Sequence, residues 1–79
     1  MDKDVYKIIT DLWQFTKKYL PLCKSSSEEV WDGIRDDGNA IYKSTEGKPE
    51  YFREMTSKMI VAAITLLEGI YRENNNVRN

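Results

Sequence analysis

The chain has 79 residues, enough for one small domain, and at that size stability is marginal without a disulfide, a metal, close packing or a partner chain. Twelve basic and thirteen acidic residues leave a net charge of −1, which gives no general attraction to nucleic acid or to an anionic membrane. There is no histidine and a single cysteine, so an intrachain disulfide is excluded and the commonest general base and transition-metal ligand are both missing.

Asp2 reads as the N-cap of a first helix over residues 3–20. Val5, Ile8, Ile9, Leu12, Thr16, Tyr19 and Leu20 recur at helical spacing and form its apolar side, with Trp13 and Phe15 at the two edges. Lys7, Thr10, Asp11, Gln14, Lys17 and Lys18 fill the other side. Pro21 stops the helix, because the residue before a proline avoids the α region. Cys23, just beyond, has no histidine to activate it and reads as a small apolar plug for the end of a bundle. A lone cysteine and a charged N-terminal segment without a leader-like apolar run fit a reducing cytoplasm. The longest apolar run, MIVAAI, is far short of the ~18 residues that a membrane span requires.

After the connection PLCKSS, the stretch SSEE predicts a capping box, with Ser26 and Glu29 as its reciprocal pair, and a second helix over residues 27–43. That helix would contain WDGIRDDGNAIY, residues 31–42, which an acidic, glycine-bearing calcium loop could also explain. The loop pattern D-x-[DN]-x-[DN]-G fails: with its glycine on Gly38, Gly33 and Arg35 take the first two ligand positions, and Ser44 stands where glutamate is needed. A helix places Val30, Trp31, Ile34, Gly38, Ile41 and Tyr42 on one apolar stripe and Glu28, Glu29, Asp32 and Asp36 opposite. Gly38 then sits where a neighbouring helix can approach closely. Gly33 lies on the polar side, so alanine there is expected to be neutral or stabilising. Glu28, Asp32 and Asp36 stand one turn apart; they read as a solvated acidic face, and a divalent metal would need help from another chain. The triplet WDG is similar to the Trp-x-Gly turn of small secreted helical hairpins, but here it falls inside a helix rather than between two.

The polar segment KSTEGK precedes Pro49, which fits the first position of a third helix over residues 49–73. Phe52, Met55, Met59, Ala62, Ala63, Leu66, Leu67 and Ile70 make its wide apolar stripe, and Val61, Ile64 and Tyr71 fall on a second face. Two readings stay open. Either this is the broad central helix of a self-sufficient bundle, or its second face, Val61, Ile64 and Tyr71, is an interface with another chain. Residues 1–73 are expected to form a single helical domain, an all-α three-helix up-down-up bundle, and residues 74–79 a disordered polar tail.

The pieces DLWQFTKKYL, GNAIYK and YFREMTSKMIVAAITLLEGIYRE, which together span most of the chain, resemble a loose group of short uncharacterised helical proteins of Gram-positive prophages and conjugative elements. The resemblance implies an accessory or regulatory protein of a mobile element and implies no activity.

The function expected from these features is that of a non-enzymatic protein-interaction module, homodimeric or with another protein as partner, needing no cofactor and binding no membrane. The second class is a nucleic-acid-associated regulator of a mobile element, against which the small lysine groups and the acidic second helix count. The third is a metal-dependent enzyme built on Glu28, Asp32 and Asp36.

Overall fold

The computed structural model describes residues 2–25 and 27–75. Three helices, α1 (Asp2–Tyr19), α2 (Glu28–Lys43) and α3 (Glu50–Asn75), are all in mutual contact and form a three-helix bundle of 47 × 20 × 18 Å. Ile8 and Leu12 of α1 pack with Phe52 and Ile60 of α3 at one end. Phe15, Tyr19 and Cys23 pack with Leu67 of α3 and Ile34 of α2 at the other. α1 and α3 therefore run parallel with α2 antiparallel between them, the up-down-up order expected. Ile41 and Ile64 touch both clusters and join them into one core. Each such apolar side chain, once buried, contributes about 1.5–3 kcal/mol.

The helix ends follow from local chemistry. α1 starts at Asp2 rather than being capped by it, and Asp2 and Asp4 lie in the first turn, at the positive end of the dipole. It ends at Tyr19, one residue before the expected Leu20. The N–H groups of Leu22 and Cys23 then turn back to the Tyr19 carbonyl at 3.0 and 2.8 Å, which tips Cys23 into the end of the bundle. Cys23 is fully buried there, its thiol 3.4 Å from the Leu20 carbonyl.

Ser26, the residue expected to cap α2, lies outside the described residues. The cap is Ser27, whose hydroxyl accepts the Glu29 N–H at 3.2 Å, so the helix begins one residue later than expected. The Trp31 indole N–H donates to the Ser25 carbonyl at 3.0 Å and fastens the connection to the helix it enters. WDGIRDDGNAIY is helical throughout, across both glycines.

Between α2 and α3, Gly47 adopts φ 88°, a left-handed conformation that residues with a Cβ rarely take. Thr45 is fully buried and donates to the Tyr42 carbonyl at 2.6 Å, and Lys48 reaches Asp4 at 3.1 Å, clipping the loop to the start of α1. The Pro49 carbonyl accepts from Phe52 and Arg53, so Pro49 stands at the cap of α3 and not at its first helical position. α3 continues to Asn75, two residues past the expected end, and the Asn75 side chain donates to the Tyr71 carbonyl at 2.9 Å. The remaining expected tail, 76–79, lies outside the described residues.

The helices are rotated differently from the expectation. On α1 the buried line is Ile8, Leu12, Phe15 and Tyr19; Phe15 is central rather than marginal, and Ile9 is half exposed. On α3 it is Phe52, Thr56, Ile60 and Leu67, with Thr56 neutralised by donating to the Phe52 carbonyl at 3.0 Å, and Leu66 is left half exposed.

Candidate functional site

Ile8, Leu12, Phe15 and Tyr19 follow one another at helical spacing and claim the core side of α1. Tyr6, Ile9 and Trp13 obey the same spacing about 120° further round, on the flank opposite Asp11, Gln14 and Lys18, which face α2. They stay in water: Tyr6 is 74%, Ile9 49% and Trp13 55% exposed. On the α1 side of α3, Leu66 is 49% exposed, above Met55 and Met59, which are partly buried against the Ile8–Leu12 cluster. Two aromatic rings and two aliphatic side chains thus occupy the α1 side of the bundle. Asp2 precedes the α1 stripe and Lys17 follows it on the same flank.

The α2-facing flank of α1 is built from polar groups. The Tyr19 hydroxyl donates to Asp37 Oδ2 at 2.6 Å, and Lys18 Nζ donates to the same oxygen at 3.0 Å. The Tyr19 hydroxyl and then the Lys18 ammonium hold the Asp37 carboxyl below its ordinary pKa. Burial, then the hydrogen bond to Asp37, raise the Tyr19 phenol, and the bond to Asp37 raises the Lys18 ammonium. The tie lies directly over Gly33. A Cβ there would fall 2.8 Å from the Tyr19 oxygen, which counts against the expectation that alanine at Gly33 is neutral or stabilising. Gly38 is as expected: a Cβ would meet Ile60 Cγ2 at 3.2 Å and Ile64 Cδ1 at 3.9 Å, where α2 leans on α3. The Tyr19 hydroxyl and the Lys18 ammonium share one oxygen of Asp37, and this tie clasps α1 to α2.

Of the residues expected to form an interface, Val61 and Ile64 line one groove between α2 and α3, and Tyr71 lies further along α3 against Trp31. Val61 is 60% exposed at the rim of a shallow groove between α2 and α3, beside Gly38, Asn39 and Tyr42. Ile64 is half-buried and packs against both core clusters. Tyr71 is half-buried and stands edge-on to Trp31, ring centres 5.6 Å apart. α2 of the same chain thus partly covers Ile64 and Tyr71, Gly38 letting that helix come close, while Val61 stays exposed. The signal for the α1 stripe was in the chain all along, as Tyr6, Ile9 and Trp13 stand at i, i+3 and i+7.

Glu28, Asp32 and Asp36 are all exposed, and Asp32 pairs with Arg35 on its own helix. Among the described residues, no three acidic or cysteine side chains gather closely enough to hold a metal ion. No described helix is long and apolar enough to cross a membrane. Compared with known proteins, the chain matches no family model, no curated protein and no solved structure.

Proposed function

We propose that this protein is a small, non-enzymatic interaction module that works through the outward flank of α1, and that it serves a mobile element from the cytoplasm. The observation that carries the reading is the stripe Tyr6, Ile9 and Trp13, large apolar side chains left half to three-quarters exposed in one line. Soluble domains rarely leave aromatic side chains aligned in water unless something covers them, and aromatic residues are the ones that anchor interfaces. Against a nucleic-acid partner stand Lys7, Lys18 and Lys48, each of which is held by an aspartate of the chain itself. The fully buried Cys23 thiol supports a reducing compartment, and the resemblance to short prophage and conjugative-element proteins supports the mobile-element role.

The test is capture of binding proteins from a host extract on immobilised wild type and on a Trp13→Glu variant whose helical circular dichroism matches the wild type. Loss of specific partners, further copies of the chain included, on the variant supports the reading. Identical captured sets on both would overturn it.

A further inference from the structure

Resting on that reading, we infer that the occupant of the α1 flank is a second copy of the chain, packed α1 against α1 in antiparallel fashion about a two-fold axis near Ile9 and Thr10. Along the stripe the residues run in the order Asp2, Tyr6, Ile9, Trp13, Lys17. In a two-fold contact, whatever residue i meets on the partner must meet i in return. An antiparallel register centred between positions 9 and 10 sets 2 against 17, 6 against 13 and 9 against 10. Each match is complementary. The Asp2 carboxylate meets the Lys17 ammonium of the other copy, the Tyr6 ring meets the Trp13 ring, and Ile9 crosses the axis beside Thr10. A stripe shaped for an unrelated partner has no need to complement its own reverse.

Two further observations agree. Asp2 and Lys17 pair with no other charge among the described residues, whereas Lys7, Lys18 and Lys48 do. The surface is also large enough to matter. At their observed exposures, Tyr6, Ile9, Trp13 and Leu66 offer about 400–500 Å² per copy. With the polar rim this approaches the ~800 Å² that each partner gives to a stable interface. The net charge of −1 places no general repulsion in the way.

The test is a set of charge reversals at the two ends of the stripe, read by sedimentation equilibrium. Asp2→Lys alone sets lysine against Lys17 at both ends of the contact, and Lys17→Asp alone sets aspartate against Asp2. Each is expected to weaken the homodimer about tenfold, two exposed pairs being turned from attractive to repulsive. Mixing the two variants pairs opposite charges again, so the mixture is expected to form heterodimers with affinity near the wild type. Packing of another surface would leave the mixture no tighter than its components, and parallel packing, which sets 2 against 2 and 17 against 17, would leave each single variant no weaker than the wild type and make the mixture tighter than the wild type; either result would overturn the inference. A wild type that remains monomeric at about 500 µM would overturn it as well. If capture of another protein still depends on Trp13 in that case, the interaction reading stands and only the self-pairing falls; if that dependence is also missing, both fall.

Discussion

The two flanks of α1 solve opposite problems with similar residues. Toward α2, Tyr19 is buried and its hydroxyl is spent on Asp37, with Lys18 sharing the same carboxylate oxygen. Away from α2, Tyr6 and Trp13 carry comparable aromatic bodies into water. A tyrosine that is tied at its tip holds two helices at a fixed distance and angle. Tyr6 leaves most of its surface to water and so holds no second helix in this way. Substitutions on the first flank should therefore act on folding, and those on the second on association alone.

The largest effect is expected at the tie itself. Tyr19→Phe leaves the Asp37 carboxylate with Lys18 alone and removes a hydrogen bond to a charged group, costing about 1.5–3 kcal/mol in urea unfolding. A loss below about 0.5 kcal/mol would mean that the tie is not part of the fold's stability. Gly33→Ala comes next. The new methyl group meets the Tyr19 oxygen, and the overpacking of ~1–3 kcal/mol outweighs the ~1 kcal/mol gain in helix propensity. In a Tyr19→Phe background the obstructing oxygen is gone, and the same substitution is expected to become neutral or stabilising. A cost that persists in that background would place the strain elsewhere.

Gly38→Ala should cost less than Gly33→Ala, because its nearest neighbour is the Ile60 methyl at 3.2 Å, which needs to give only a few tenths of an ångström. The smallest effect on folding is expected from Trp13→Glu, within about 0.5 kcal/mol of the wild type, since the residue is half in water. A larger loss would show that the outward flank belongs to the monomer's core after all.

The tie also sets a pH dependence. Asp37's folded pKa lies below its unfolded value, so the stability it contributes is complete above the ordinary carboxylate range and is lost as pH falls through the folded value. Tyr19 and Lys18 are shifted upward, so their contribution is complete below their ordinary values and is lost as pH rises through the raised ones. An Asp37→Asn variant should lose part of the acid-limb slope of stability against pH. A slope equal to that of the wild type would contradict the assignment.

Much of the fold was legible in the chain. Three helices were expected within two residues of their observed ends, and α2 was read as continuous through Gly33 and Gly38 because its apolar residues keep helical spacing while the calcium-loop pattern fails. What periodicity could not supply was rotation. α1 and α3 carry apolar residues over more than half their circumference, and a wheel cannot say which part of so wide a face turns inward. Helical spacing places Ile9 and Leu66 in the core, yet both are half exposed, and Ile60 and Thr56 take the core side instead. The Tyr19–Asp37 tie was equally hidden, because its partners lie 18 residues apart on different helices. The crowding at Gly33 is hidden for the same reason: its neighbour comes from α1, and the sequence of α2 alone does not reveal it.

The claim that the outward flank of α1 joins two copies of the chain is tested most directly by the molecular mass of the wild type beside Trp13→Glu in sedimentation equilibrium, over about 10–500 µM. The wild type should rise from 9.3 kDa toward twice that mass across the series, and the variant should stay at 9.3 kDa with its helical signal intact. A wild type and a variant that sediment alike at every concentration would contradict it.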